Sequence, residues 1–160
     1  STRRSFWTDP RGKRPDAGTW HPGKRRITAK RGSNTKGGRA VVELILEALR
    51  AMRPPFALYE ADLHSLVEQA LEARNLPYVH EAKIGAGCRI DYRVGAIGLE
   101  IKKGKPNRTA LLAQLRRYAA CDALEGIVVV SWQRVALPGS VAGKPVYGLS
   151  LSALWGVSLP

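Results

Sequence analysis

Hydrophobic residues recur at helical intervals in three segments of the chain. Over residues 42–49 the apolar positions are three or four residues apart, with charged side chains between them, which predicts an amphipathic helix. Pro54 and Pro55 must end this helix, because proline cannot continue one. The same spacing predicts a second helix over about 59–74 and a third over about 108–122.

Between and after these helices, the apolar pattern changes to that of β-strands. Residues 78–84, 89–94 and 97–103 are separated by short glycine-containing turns, which predicts an antiparallel meander. The continuous apolar segment 126–130 is typical of a central strand buried between helices, and a last strand is expected near 146–151. The order α-β-β-β-α-β, with one helix before it and one strand after it, predicts a three-layer α/β domain with a mixed central sheet.

The positive charge of the chain is concentrated towards its amino-terminal end. The sequence has 26 lysines and arginines against 13 acidic residues, and residues 1–39 alone hold 12 of the basic and 2 of the acidic ones. Because this segment has few aliphatic residues, we predict a basic amino-terminal arm largely without regular structure, followed by a folded domain over 40–160. Arg25 and Arg26 in this arm suit a polyanionic partner such as nucleic acid. A solvated tail without function is the alternative.

The sequence also predicts the cellular compartment of the protein and the state of its two cysteines. It has no apolar segment of the roughly 20 residues that a membrane span needs, and no apolar stretch typical of a secretion signal. We therefore expect a cytoplasmic protein without membrane contact. Cys88 and Cys121 have no metal-binding spacing, so we expect two small, buried or half-buried side chains rather than a zinc site.

Charged residues in the second and third predicted strands indicate a chemical site. Asp91 lies in one strand, and Glu100 and Lys102 share a face of the next, roughly 6–7 Å apart. Carboxylates are ligands that Mg²⁺ prefers, and the backbone carbonyl of Ile101 is a plausible third ligand. A bound metal activates water and stabilises charge on phosphate oxygens. Lys102 could orient or deprotonate that water, or stabilise the transition state.

The same charged residues have a simpler interpretation. Asp91 could pair with Arg89 or Arg93 on its own strand, and Glu100 could pair with Lys102. In that case the group is an ordinary network of ion pairs in a sheet. The metal site and the ion-pair network predict different effects of divalent cations.

The motif itself resembles that of a known nuclease superfamily. Asp91 followed by Glu100-Ile101-Lys102 resembles the PD-(D/E)xK nucleases, and the predicted order of elements is similar to their αβββαβ core. Gln114 and Tyr118, four residues apart on one helical face, resemble the QxxxY element of the RecB-like and Cas4-like exonuclease branches. The resemblance covers roughly residues 59–132. It implies a restriction-endonuclease-like fold in which Gln114 and Tyr118 support the site.

The chain departs from the superfamily pattern at two points. Ile90 stands where the motif has a proline, and the acid of the first helix has no unique match. We choose Glu60 as that metal ligand, with His64 and Glu68 as alternatives on the same helix. The choice assumes that the second predicted helix extends over Glu60.

Together, the residues and the resemblance predict a Mg²⁺- or Mn²⁺-dependent deoxyribonuclease that hydrolyses phosphodiester bonds. The partner would be nucleic acid, DNA in the first place, with a homodimer or a larger nucleoprotein assembly as further options. The alternative is a non-catalytic nucleic-acid-binding or nucleoprotein assembly protein on the same fold. The phosphate backbone would follow the basic residues Lys103, Lys105, Arg108, Arg116 and Arg117, with Arg25 and Arg26 from the arm.

Overall fold

A computed structural model describes residues 35–55 and 62–156. The described residues form four helices and six strands, none of the helices being both long and apolar enough to cross a membrane. The helices are α1 (Thr35–Arg50), α2 (Leu63–Ala73), α3 (Arg108–Ala119) and α4 (Leu151–Trp155). The strands are β1 (Val79–Gly85), β2 (Cys88–Val94), β3 (Ile97–Lys102), β4 (Gly126–Ser131), β5 (Ser140–Val141) and β6 (Lys144–Ser150).

The strands form one open, mixed sheet in the order β1-β2-β3-β4-β6-β5. The first three pair antiparallel as a meander, β3, β4 and β6 run parallel, and β5 adds an antiparallel edge. This confirms the predicted α/β class, the meander and the mixed sheet. Every residue of β4 is buried, as expected for a central strand with helices on both sides.

Helices cover both faces of the sheet. Helices α1 and α2 pack on one face, and α3 packs on the other, so each face has its own hydrophobic core. The buried residues include Ile45, Leu49, Val67, Leu71, Tyr92, Leu99 and Val128 on the first face, and Leu111, Leu115, Tyr118, Ile90, Ile127 and Val129 on the second.

Local hydrogen bonds set the helix boundaries. The Asp62 side chain accepts from the backbone N–H of His64 and so caps the start of α2. The second predicted helix therefore begins at Leu63 in the described chain, and Glu60 lies outside the described residues. Asn75, just after α2, has a φ of 52°, which suits asparagine at a helix end.

Two other boundaries differ from the sequence prediction. Helix α1 begins at Thr35, so residues 35–39 of the predicted arm are helical; residues 1–34 lie outside the described residues. The short elements β5 and α4 were not predicted. A two-residue strand and a five-residue helix are too short to show a hydrophobic period.

Strand β2 is irregular at Asp91. The register of β1 and β2 places Glu81 opposite Asp91, and Glu81 has a φ of 47°, outside the strand region. Ile90 belongs to the core under α3, whereas Tyr92 belongs to the core under α1 and α2. Since alternate residues of a regular strand share a face, the regular alternation of β2 is not kept between these two residues. Asp91 therefore lies where the regular sheet is interrupted.

Candidate functional site

The interruption of the sheet leaves the Asp91 carboxylate facing β3. Pairing between β2 and β3 runs from Val94 and Ile97 to Tyr92 and Leu99 and stops there. Beyond that point, the backbone N–H of Ile101 donates to Asp91 Oδ2 at 2.7 Å. The side chain thus replaces a carbonyl of the neighbouring strand, because a buried N–H needs an acceptor.

The same arrangement determines where the Ile101 carbonyl points. In a strand, the N–H and C=O of one residue project towards the same neighbouring strand. Because the Ile101 N–H is aimed at Asp91, its carbonyl oxygen is aimed at the same side of β3. Asp91 and the Ile101 carbonyl therefore bring oxygen atoms to one side of β3 near its carboxyl end.

Glu100 is the most enclosed charged side chain of this group, with 5% of it exposed. Its Oε1 accepts from Lys102 Nζ at 2.7 Å and from Gln114 Nε2 at 2.9 Å, and its Oε2 accepts from the Tyr118 hydroxyl at 2.9 Å. Removing a carboxylate from water costs several kcal/mol unless partners replace the water. One cation and two neutral donors provide that replacement here.

Helix α3 supplies the two neutral donors. Gln114 and Tyr118 are one helical turn apart, and Gln114 Nε2 also donates to the Tyr118 hydroxyl at 2.6 Å. Asn107 caps the start of the helix by accepting from Ala110 N–H at 3.0 Å, and Leu111 and Leu115 fix it against the sheet. The structure places Gln114 and Tyr118 on one face of α3 and brings both side chains to the Glu100 carboxylate.

Burial raises the pKa of Tyr118, and the charge of Glu100 and the hydrogen bond to it raise that pKa further. The charge of Asp91 acts in the same direction, so both acids lie within electrostatic range of this hydroxyl. Tyr118 therefore stays protonated and acts as a hydrogen-bond donor. The group combines two acids, one lysine and two uncharged donors.

The network of ion pairs that the sequence also allowed is present only in part. Lys102 and Glu100 do form an ion pair, at 2.7 Å. Arg89 instead lies 3.6 Å from Glu81, and Asp91 interacts with the backbone of Ile101. The Lys102–Glu100 contact fits both a structural ion pair and a reactive site.

The predicted basic path lies beside the group. Lys103, Lys105 and Arg108 are exposed between the end of β3 and the start of α3, and Arg116 and Arg117 are exposed on the last turn of α3. Lys103 Nζ is also 3.9 Å from Asp62 Oδ1, which brings the start of α2 to the end of β3. The arm residues Arg25 and Arg26 lie outside the described residues.

Metal-binding capacity is limited in the part of the chain that the structure describes. Over residues 35–55 and 62–156, no three His, Cys, Asp or Glu side chains are grouped as a metal would need. The side chains offered are those of Asp91 and Glu100, with the Ile101 carbonyl beside them. This set consists only of oxygen atoms, which suits Mg²⁺ because that ion keeps several of its own waters.

The two alternatives for the first-helix acid belong to a different cluster. Glu68 Oε1 accepts from the Tyr92 hydroxyl at 2.9 Å, and His64 Nδ1 lies 3.2 Å from the same hydroxyl. His80 stacks on Tyr92 with the ring centroids 4.8 Å apart. Tyr92 faces α1 and α2, so this cluster lies on the opposite face of the sheet from Gln114. Within the described residues, the side chains of His64 and Glu68 make their polar contacts with Tyr92 and His80 and not with Asp91 or Glu100.

The sequence analysis missed a cleft that adjoins the site. In the parallel register, Lys102 aligns with Ser131 of β4, and Ser131 aligns with Ser150 of β6. Both serines line a cleft of about 380 Å³, together with Arg134 and the side chain of Leu137. Such a cleft at the carboxyl ends of parallel strands is a common position for ligands. Ser131, directly after the apolar segment of β4, was the available signal.

Comparison of the chain with protein-family models, with curated proteins and with solved structures finds no match. The class of protein supported here is an α/β domain with a mixed open sheet and a charged group at the carboxyl end of β3.

Proposed function

We propose that this protein is a metal-dependent nuclease of the PD-(D/E)xK type, with a restriction-endonuclease-like core. The observation that carries the proposal is the convergence of five predicted side chains from two strands and one helix. Asp91, Glu100 and Lys102 come from the interrupted β2–β3 edge, and Gln114 and Tyr118 come from α3. These residues belong to three separate elements, and packing alone does not require a buried carboxylate among them.

The proposed roles follow from the contacts. Asp91 and Glu100, with the Ile101 carbonyl, would hold Mg²⁺ or Mn²⁺, which supplies an acidified water and charge stabilisation at the phosphate. Lys102, whose Nζ lies 2.7 Å from Glu100 Oε1, would orient the attacking water or accept a proton from it. Gln114 and Tyr118 would keep the Glu100 carboxylate oriented, since each donates to one of its oxygens.

Nucleic acid is the proposed substrate because of charge. The net charge of +13 favours a polyanion, and the exposed residues Lys103, Lys105 and Arg108 lie beside the site. Contacts of this type bind the phosphate backbone without reading the base sequence. We expect DNA affinity to fall steeply with salt, because bound cations are released when lysines and arginines neutralise phosphates.

A second candidate function is a non-catalytic nucleic-acid-binding protein on the same fold. The observation that favours it is that both Glu100 oxygens already accept hydrogen bonds from the protein. In addition, the described residues contain no group of three ligating side chains. In this alternative, Lys102 and Glu100 stabilise the fold as an ion pair, and the basic surface binds nucleic acid.

DNA cleavage in Mg²⁺ or Mn²⁺ distinguishes the two functions. We expect the wild-type protein to degrade single- or double-stranded DNA, and Lys102→Ala and Asp91→Asn to lower the rate by about 10²–10⁴-fold. Lys83→Ala and Asp122→Asn are matched controls, because they remove the same charges at exposed positions. Equal cleavage by all five proteins would indicate a contaminating nuclease.

The metal provides a second, independent readout. If Asp91 and Glu100 bind Mn²⁺, the ion stabilises the folded state, by about 2.7 kcal/mol at a hundred times its Kd. The Asp91→Asn variant should lose this stabilisation, and Asp122→Asn should keep it. Tight DNA binding with neither cleavage nor stabilisation by any divalent ion would select the non-catalytic alternative.

A further inference from the structure

Cys88 and Cys121 lie together, although 32 residues separate them in the chain. Cys88 is the first residue of β2, and Cys121 follows the end of α3. A Cβ atom added at Gly85 would lie 3.0 Å from Cys121 Sγ and 3.8 Å from the Cβ atoms of both cysteines. The two side chains thus flank one small space above Gly85.

The glycine is what keeps this space open. Gly85 does not have a positive φ, so its backbone does not require glycine. A methyl group there would meet the Cys121 sulfur at 3.0 Å, closer than ordinary van der Waals contact. Gly85 is paired with Cys88 across the β1–β2 turn, which fixes the glycine and Cys88 relative to one another.

The two thiols also interact and are accessible. Burial raises the pKa of the Cys88 thiol, and its interaction with the Cys121 thiol raises that pKa further. Cys121 Sγ donates to the carbonyl of Arg117 at 3.3 Å, so its side chain has a defined position. Both cysteines are only partly buried, which leaves them open to small reagents.

From this geometry we propose that Cys88 and Cys121 are a modification site that forms a reversible intramolecular disulfide with a small-molecule disulfide as oxidant. The Cys121 thiolate attacks one sulfur of the oxidant and releases one small thiolate. The Cys88 thiolate then attacks the Cys121 sulfur and releases the second. Two protein thiols are oxidised, one oxidant disulfide is reduced to two thiols, and the protons lost by the cysteines pass to the released thiolates.

The bridge would join β2 to the end of α3. Tyr118 lies one turn before Cys121, so the bridge would fix the end of α3 that holds the Tyr118 hydroxyl against Glu100. The proposal does not depend on nuclease activity, because it concerns only the proximity of the two thiols.

The test uses the full chain, incubated with oxidised glutathione and then alkylated with iodoacetamide. We expect an intact mass lower by two hydrogen atoms, with neither cysteine alkylated, and full reversal by dithiothreitol. Cys88→Ser and Cys121→Ser should instead give one alkylated or glutathione-bound thiol. Wild-type protein that carries stable glutathione adducts, alkylated thiols or intermolecular dimers to the same extent as the single variants would overturn the proposal.

Two further measurements show that the bridge belongs to the folded state. We expect the bridged protein to melt about 5–10 °C above the reduced protein, because the bridge closes a loop of more than 30 residues. Gly85→Ala should slow bridging severalfold, whereas Gly139→Ala, with open space at its Cβ position, should not. A bridge that lowers the melting temperature, or one that forms equally fast in both glycine variants, would contradict a preformed pair.

Discussion

Two tyrosine–glutamate pairs flank β2 and β3, one on each face of the sheet. On the α3 face, the Tyr118 hydroxyl donates to Glu100 at 2.9 Å; on the α2 face, the Tyr92 hydroxyl donates to Glu68, also at 2.9 Å. Both hydroxyls are buried with their rings. The pairs differ in the glutamate: 5% of the Glu100 side chain is exposed, against 32% of the Glu68 side chain.

The difference in exposure decides what each pair requires. The Glu68 side chain keeps part of its hydration, and its Oε1 also lies 3.8 Å from His80 Nδ1. The Glu100 side chain keeps almost no hydration, and its carboxylate accepts hydrogen bonds from Lys102, Gln114 and Tyr118. Well-packed apolar residues often replace such buried ion pairs without loss of stability. The proposed function rests on the α3 face because that face holds the more enclosed carboxylate and its three donors.

The largest expected effect separates the two faces by activity. Glu100→Gln keeps the shape of the side chain but removes a charge that would hold the metal, so we expect DNA cleavage in Mg²⁺ to fall by about 10³-fold. Glu68→Gln makes the same chemical change on the other face and should alter the rate less than about twofold. The measurement is the initial rate of DNA cleavage for both variants and for the wild type at equal concentration.

The comparison would fail in one recognisable way. If Glu68→Gln lowers cleavage as much as Glu100→Gln, while both variants melt like the wild type, the first-helix acid is Glu68 and the site spans both faces. Glu60 would then lose its place as the predicted ligand.

The residues of the α3 face could be predicted from sequence because their spacing encodes their direction. Glu100 and Lys102 are two apart in a strand, and Gln114 and Tyr118 are four apart in a helix, so each pair must share a face. The interruption at Asp91 could not be predicted. It coincides with the positive φ of Glu81 in the neighbouring strand, which has no signature in the sequence.

The α2 face could not be predicted for a related reason. Its cluster combines His64 and Glu68 from α2, His80 from β1 and Tyr92 from β2. The contacts among them depend on how α2 lies across the sheet, and the hydrophobic pattern of a single segment does not specify that position. The order of the elements was predicted correctly since long periodic segments specify it, whereas β5 and α4 are too short to do so.

An intermediate effect is expected when each tyrosine loses its hydroxyl. Tyr118→Phe leaves Glu100 Oε2 buried without its donor, so we expect a loss of about 2 kcal/mol in the free energy of unfolding. Tyr92→Phe should cost about 1 kcal/mol or less, because water can reach the partly exposed Glu68. Urea or guanidinium denaturation at pH 7 measures both values. Equal losses would mean that the two glutamates are equally hydrated in solution, against the exposures in the structure.

The smallest effect is a dependence on alkaline pH that both faces share. Burial raises the pKa of Tyr92 and of Tyr118, and the neighbouring glutamates raise both further; for Tyr78, burial and the hydrogen bond to Glu72 raise the pKa to about 12. In the unfolded chain a tyrosine ionises near pH 10. Between that pH and the folded-state pKa, the folded protein binds more protons than the unfolded one, so stability falls as the pH rises.

Each buried tyrosine should therefore remove about 0.8 kcal/mol of stability by pH 10.5 and contribute nothing to the pH dependence below about pH 9. Tyr118→Phe and Tyr92→Phe should each flatten the decline between pH 9 and pH 10.5 by that amount. The check is the denaturation midpoint of the three proteins across this range, with each variant compared with its own value at pH 8. A decline as steep in the phenylalanine variants as in the wild type would mean that these hydroxyls ionise in the folded protein as readily as in the unfolded chain. The tyrosine–glutamate hydrogen bonds on both faces would then be too weak to hold the hydroxyl protons.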